Sequence, residues 1–199
     1  MSNKVLILSN KPPKTYLDAL SRAKIKYDCR FPMPKNEKYS ALLLIGGGDV
    51  LPAFYGGKTP SHGINIVRDK AEFDALDYFV ARELPVLGIC RGLQVINVYF
   101  GGGLAVCEGH YSPGGDVYHR TTGDFLGFKK VNSRHRQYCN PVAKNGKVLL
   151  YAKGGVPEAV AYGKGVLGLQ FHPERMDEIT REKIYGRLEE TILSHDGTR

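Results

Sequence analysis

A cysteine in the short segment GICRG at 88–92 has the surroundings of a reactive group. The segment lies between an apolar run and a predicted helix, and it is the cysteine version of the nucleophile elbow. Gly88 and Gly92 leave room for the neighbouring backbone, while the helix that begins near Arg91 directs the positive end of its dipole at Cys90. Because this placement favours the thiolate, which is the attacking form, the segment predicts a nucleophile. The competing interpretation is a buried structural cysteine after a strand.

A thiol nucleophile needs a base, and the base needs an orienting group. The segment LGLQFHPE at 167–174 contains both, because an apolar run ends at His172 and Glu174 follows two residues later. Side chains two apart in an extended segment share a face, so Glu174 can bond one imidazole nitrogen while the other faces Cys90. Alone, His-Pro-Glu is more typical of a surface turn. Together with the cysteine elbow it predicts a triad of Cys90, His172 and Glu174.

Acyl chemistry also needs hydrogen-bond donors for the developing oxyanion, and backbone N–H groups commonly supply them. One candidate is the N–H of Arg91, directly after the nucleophile. The other is the glycine turn IGGGD at 45–49, where the lack of side chains lets backbone approach a ligand closely. The alternatives for this turn are a simple reversal after a strand and a phosphate cradle, although the GKS/T ending of a P-loop is missing.

Short apolar runs and amphipathic segments alternate in the first half of the chain, which predicts an α/β fold with a largely parallel sheet. Several strands follow one another later, which predicts an antiparallel extension and therefore a mixed sheet. We predict strands at 4–9, 41–45, 85–89, 147–152, 157–162 and 165–170, helices at 15–24, 69–82, 91–100 and 177–193, and a loop over 101–128.

Size and composition fit one domain over residues 1–199, with 42% hydrophobic and 24% charged residues. The longest apolar runs, VLIL at 5–8 and LLLI at 42–45, are far too short to cross a membrane. The start MSNK lacks the pattern of a signal peptide. We therefore expect a cytoplasmic protein.

Cysteine usage and charge restrict the remaining classes. The four cysteines form no CxxC pair and have no nearby histidine at metal-ligand spacing, so we expect free thiols and neither a metal nor a cofactor. The net charge of +8 indicates either a solvated basic surface or attraction of a phosphorylated or otherwise acidic substrate. A nucleic-acid partner is not expected, because no nucleic-acid-binding motif accompanies the charge.

Seven motifs between residues 14 and 176 agree in order and spacing with a known family. They are YLDAL at 16–20, LLLIGGGDVLPAFYG at 42–56, RDKAE at 68–72, PVLGICRGLQVINVYFGG at 85–102, VNSRHRQ at 131–137, EAVA at 158–161 and LGLQFHPE at 167–174. With them the chain resembles the class I glutamine amidotransferases, most closely the γ-glutamyl-γ-aminobutyrate hydrolase branch, peptidase family C26. The resemblance implies a flavodoxin-like α/β fold with the cysteine elbow at the carboxyl edge of the sheet.

The resemblance also implies roles for individual residues. Cys90 would form a γ-glutamyl thioester, His172 would relay protons and Glu174 would orient it. The backbone amides of Gly47 and Arg91 would form the oxyanion hole. The substrate-binding candidates that the resemblance implies are Gln94, Asn132, Ser133, His135 and Gln137.

The chain departs from the family pattern at Arg134 and Arg136, which occupy the variable positions of the VNS-x-H-x-Q motif. Two guanidinium groups beside the pocket would suit a phosphate- or carboxylate-bearing leaving group. The alternative is that both side chains point to solvent.

The functional hypothesis is hydrolysis of the γ-glutamyl amide bond of a small-molecule γ-glutamyl-amine, without metal or cofactor. One alternative is a glutaminase subunit that delivers ammonia to a separate synthetase partner. Another is a binding or regulatory module without enzyme activity on the same fold. The identity of the amine and the oligomeric state, including a homo-oligomer, stay open.

Overall fold

A central mixed sheet organises the computed structural model, which describes residues 4–58 and 62–197. The strands are β1 (Lys4–Leu8), β2 (Lys26–Arg30), β3 (Ala41–Leu44), β4 (Val86–Ile89), β5 (Leu104–Val106), β6 (Val117–Gly123), β7 (Lys130–Ser133), β8 (Gln137–Cys139), β9 (Gly146–Ala152), β10 (Val156–Tyr162) and β11 (Val166–Leu169). The helices are α1 (Lys14–Arg22), α2 (Ile66–Val80), α3 (Arg91–Tyr99) and α4 (Glu178–Gly197), with one-turn helices at Pro52–Phe54 and Pro173–Arg175.

The order of the large sheet is β2-β1-β3-β4-β11-β10-β9-β6-β7, and β5 pairs with β8 in a separate two-stranded sheet. The first five strands of that order are parallel to one another, as in the flavodoxin-like arrangement. From β10 onward each strand pairs antiparallel with its neighbour. The predicted fold class, a mostly parallel mixed sheet with flanking helices, is therefore confirmed.

The two faces of the parallel strands bury separate apolar clusters, because successive side chains of a strand point to opposite faces. Leu43 packs in the cluster that contains Leu20 of α1 and Tyr185 of α4. Leu42 packs in the cluster that contains Phe79 of α2. Strands covered by helices on both faces become continuous apolar runs, which is why they were readable in the sequence.

The prediction of a loop over 101–128 is wrong, because β5 and β6 lie within it. The β6 segment VYHRTTG has no continuous apolar face, and it forms a strand because its main chain pairs with both β7 and β9. The strands β2, β7 and β8 were not predicted either. They are short and partly polar, so tertiary pairing rather than local pattern decides their conformation.

The predicted helices lie close to their observed bounds, with one clear shift at α2. This helix begins at Ile66 rather than near Asp69, because the Asn65 side chain accepts a hydrogen bond from the Arg68 N–H at 3.0 Å. Such a cap satisfies a free N–H at the start of a helix. Among the described residues, no helix combines the length and apolar character that a membrane span requires.

Candidate active site

Cys90 lies in a strained turn between β4 and α3, with φ 55° and ψ −106°. A residue other than glycine rarely adopts positive φ, and such strain concentrates at functional positions. The turn is tight because two glycines let the backbones meet: a Cβ on Gly92 would collide with the Leu44 carbonyl, and one on Gly88 would collide with Gly92. These contacts explain physically why the elbow needs glycine on both sides of the cysteine.

His172 follows β11 on the neighbouring strand and lies beside the elbow. Its Nδ1 is 2.7 Å from Glu174 Oε1, and its side chain also hydrogen-bonds to Cys90. The main chain of His172 is held by Asn132, whose Oδ1 accepts from the His172 N–H at 2.8 Å and whose Nδ2 donates to the His172 carbonyl at 3.1 Å. The three residues predicted as a triad are thus brought together by β4 and β11, which pair in parallel.

The charge state of His172 follows from these contacts. Burial lowers its pKa, but the charge and hydrogen bond of Cys90, with those of Glu174, outweigh burial and raise the pKa to about 10. An imidazolium at neutral pH is therefore expected opposite a negatively charged sulfur. That pair would supply both the nucleophile and the proton donor of an acyl transfer.

The glycine turn after β3 is held from outside by Arg68. The Arg68 guanidinium donates to the Ile45 carbonyl at 2.8 Å and to the Gly46 carbonyl at 3.2 Å, and the Gly46 N–H donates to the Tyr16 hydroxyl at 3.1 Å. A Cβ on Gly47 would collide with the same guanidinium. The Gly46 amide is thus engaged by Tyr16, while Gly47 lies beside Cys90 in a shared cavity.

Arg91 contributes its side chain to the framework rather than to the pocket. Its buried guanidinium pairs with Asp69 and Glu72 on α2, and Glu72 also accepts from Arg68 Nε at 2.8 Å. Sequence reasoning gave no role to these two acids, although their spacing from Arg68 on one helix was the available signal. The network ties α2, the glycine turn and the residue after the nucleophile into one rigid unit.

A small cavity of about 50 Å³ opens beside Cys90. The residues that line it are Gly47, Asp49, Cys90, Gln94, Tyr111, Arg134, His135, Arg136 and Gln137. Most of the predicted pocket residues are thus brought together, but Asn132 and Ser133 are not among the lining residues. Asn132 binds the His172 backbone, and the Ser133 hydroxyl donates to the His110 carbonyl at 2.8 Å.

Both arginines of the motif VNSRHRQ line this cavity rather than pointing only to solvent. The Arg136 guanidinium stacks on the Tyr111 ring, 3.6 Å from its centroid. Arg134 lies 4.0 Å from Asp116, which is at the limit of an ion pair. Gln94, by contrast, is buried below the cavity and donates to the Gln137 carbonyl at 2.9 Å.

The cysteines are free thiols as expected, but one expectation about metal-ligand spacing fails in three dimensions. The folded chain brings Cys107, His110 and His135 together, with their ligand atoms within 4.8 Å of one another. No local spacing pattern marks this group, because His135 is far from the other two along the chain. Sequence reasoning therefore could not find it.

Comparisons with known proteins identify a family and several relatives. The sequence model of the family Peptidase C26 matches residues 36–107 and 113–174. A candidate glutamine amidotransferase of Schizosaccharomyces pombe is 30% identical over 67% of this chain and 61% of its own length. The γ-glutamyl-CDP-amidate hydrolase of Campylobacter jejuni is 28% identical over 72% of this chain and 66% of its own length. The chain therefore spans about two thirds of the length of these relatives.

Two further similarities concern a different kind of protein. The amidotransferase component of the glutamine-hydrolysing GMP synthase of Methanococcus aeolicus is 26% identical over 70% of this chain and 67% of its own length. The crystal structure of a candidate GMP synthase component of the same type from Thermoplasma acidophilum superposes with a TM-score of 0.75, covering 97% of this chain and 95% of that one at 14% identity. At that identity the structural match supports the fold alone.

Proposed function

The chain belongs to the peptidase C26 family of class I glutamine amidotransferases, and from that premise we propose that it hydrolyses the γ-glutamyl amide bond of a small-molecule substrate. The products are glutamate and a free amine, and the intermediate is a γ-glutamyl thioester on Cys90. The observation that carries the proposal is the strained Cys90 elbow in hydrogen-bond contact with His172, which Glu174 holds at 2.7 Å.

In the acylation step, the Cys90 sulfur attacks the γ-carbonyl carbon and a C–S bond forms. The negative charge on the carbonyl oxygen is stabilised by the backbone amides of Gly47 and Arg91, a contribution of about 3 kcal/mol for a donor of this kind. The C–N bond then breaks while the His172 imidazolium gives its proton to the nitrogen, and the amine leaves. Arg68 supports this step indirectly, because it holds the turn that carries Gly47.

In the deacylation step, neutral His172 takes a proton from a water molecule, whose oxygen attacks the thioester carbon. The C–S bond breaks, glutamate leaves and the thiolate–imidazolium pair is restored. Glu174 stays ionised throughout and keeps Nδ1 of His172 protonated. The chemistry therefore needs only the side chains and backbone amides already named.

The leaving group that we propose is an amine carrying phosphate or carboxylate. Arg134 and Arg136 line the cavity next to Cys90, and guanidinium groups bind such anions through two parallel hydrogen bonds. The similarity to the γ-glutamyl-CDP-amidate hydrolase of Campylobacter jejuni supports this choice, since the substrate in its name is a nucleoside diphosphate derivative. The net charge of +8 also favours an anionic ligand.

A second candidate function is that of a glutaminase subunit that supplies ammonia to a synthetase. The similarity to the GMP synthase component of Methanococcus aeolicus favours it. This function requires hydrolysis of glutamine that is weak in the isolated chain and strongly activated by a partner protein. Hydrolysis of γ-glutamyl amides by the chain alone separates the two functions.

The test is a panel of γ-glutamyl amides, including glutamine and a phosphorylated amine, assayed for glutamate release. The expected result is turnover by the isolated protein, with hydroxylamine diverting the thioester to γ-glutamyl hydroxamate. Cys90→Ser should lose turnover and hydroxamate formation while staying folded, whereas Cys29→Ser, at a half-buried cysteine away from the elbow, should keep both. Full activity of Cys90→Ser would contradict the mechanism.

A further inference from the structure

A buried group of two imidazoles and one carboxylate lies behind the wall of the Cys90 cavity. His110 follows β5, His135 lies between β7 and β8, and Glu158 is on β10; we call these three the His–His–Glu cluster. All three side chains are almost fully buried, and Glu158 has no exposed surface. The proposed hydrolysis uses neither His110 nor Glu158, so the cluster calls for a separate explanation.

Three ligand atoms of the cluster converge on one point. His110 Nδ1 lies 3.2 Å from His135 Nε2 and 3.6 Å from Glu158 Oε1, and the latter two atoms are 3.7 Å apart. A point equidistant from the three atoms lies about 2.0 Å from each, which is the usual length of zinc–nitrogen and zinc–carboxylate bonds. The triangle therefore has the size of a coordination site.

The hydrogen bonds around the cluster point its lone pairs inward. His135 Nδ1 lies 3.0 Å from the Gln137 carbonyl, to which it can only donate, and this leaves Nε2 unprotonated toward the cluster centre. A second hydrogen bond of this kind, from the outer ring nitrogen to a carbonyl, is typical of metal-binding histidines. Both carboxylate oxygens of Glu158 are buried without a hydrogen-bond partner among the described residues. A buried acid in that condition is costly unless a proton or a cation compensates it.

Protonation alone is the competing explanation. Burial raises the pKa of Glu158 to about 8, and burial lowers the pKa of His110 to about 4. A neutral cluster would then contain one hydrogen bond between the two imidazoles and an acid proton without an acceptor. A cation at the centre compensates all three groups at once.

We propose that the His–His–Glu cluster binds a divalent metal ion, with zinc as the ion that this donor set suits best. Cys107 is outside this coordination sphere, because its Sγ lies 3.5 Å from Nδ1 of His135, the ring nitrogen opposite the cluster centre. The metal would join the segments that carry Tyr111, Arg134 and Arg136 to the central strand β10. It would therefore brace the cavity wall, and it takes no part in the proposed acyl transfer.

The test measures metal binding directly, so its outcome does not depend on the proposed hydrolysis. Chelator-treated protein is titrated with Zn²⁺ and with Co²⁺, whose visible absorption reports nitrogen and oxygen ligation, and the metal bound to each chain is counted by elemental analysis. The expected result is one equivalent of either ion and a higher thermal midpoint when it is bound. No saturable binding would overturn the proposal and leave the protonated cluster.

Variants identify the ligands. Glu158→Gln and, as a second variant, His110→Gln should each weaken Co²⁺ binding by at least the about 10- to 100-fold that loss of an outer-shell partner costs. Glu108→Gln, at an exposed acid nearby, and Cys107→Ser should bind as the wild type does. Circular dichroism identifies the folded variants. Unchanged binding in a folded Glu158→Gln or His110→Gln protein, or loss of binding in Cys107→Ser, would overturn the assigned ligand set.

Discussion

Replacing Glu174 by glutamine removes the carboxylate that pairs with His172 while preserving the size of the side chain. Glu174 Oε1 lies 2.7 Å from His172 Nδ1, and both side chains are buried, so solvent screens the pair weakly. Burial by itself lowers the pKa of His172; its rise to about 10 depends on Cys90 and Glu174 together. The substitution removes one of these two contributions and leaves the other in place.

The size of the effect follows from the energy of the lost hydrogen bond. A hydrogen bond to a charged group contributes about 1.5–3 kcal/mol, and one pH unit corresponds to about 1.36 kcal/mol. The pKa of His172 should therefore fall by about 1 to 2 pH units in Glu174→Gln. Because the imidazolium is the proton donor to the leaving amine, activity is lost as pH rises through this pKa. The alkaline limb of the pH profile should thus move to lower pH.

The assay is the pH dependence of kcat/KM for a chromogenic γ-glutamyl anilide, which reports ionisations of the free enzyme. Nuclear magnetic resonance of the His172 ring gives the same pKa without turnover. Glu178→Gln is the matched control, because its carboxylate is 68% exposed and only weakly paired, with Arg22 at 3.8 Å. An alkaline limb that stays in place in Glu174→Gln, or that moves equally in the control, would refute the reasoning.

Three further predictions concern the framework and the cavity. Arg91→Met leaves two buried carboxylates without their shared partner and should lower the free energy of unfolding by about 3–5 kcal/mol in urea titration, whereas exposed Arg120→Met should not. Gly92→Ala should lower it by about 1–3 kcal/mol or more through collision with the β3 backbone, while Gly114→Ala, with open space around its Cβ, should be tolerated. Arg136→Ala should lower kcat/KM about tenfold for a phosphorylated leaving group, through loss of one charge-assisted hydrogen bond, and leave glutamine hydrolysis unchanged; equal losses on both substrates would contradict this.

Local sequence pattern was sufficient for the parallel core and for the elbow. Strands buried on both faces become apolar runs, and a nucleophile turn needs glycine at two defined offsets from Cys90, so both leave a signal within a few residues. The pairing of His172 with Glu174 was equally local, because the two residues are separated by one proline. The family prediction rested on these same motifs and is confirmed.

Tertiary structure alone decided what the longer-range partners do. Asn132 was predicted to contact substrate, but its side chain holds the backbone of His172, forty residues away. The side chain of Arg91 pairs with acids on another helix, which no periodicity could indicate. The polar strands β6 and β7 likewise form through pairing with neighbours rather than through local pattern.

The sequence by itself therefore determined the family, the apolar strands of the parallel half and the cysteine elbow, because those features depend on residues close together in the chain. The tertiary structure decided which charged groups are buried together, including the His–His–Glu cluster. The physical reason is that burial removes charges from water, and its cost is compensated only by partners that folding brings from distant segments.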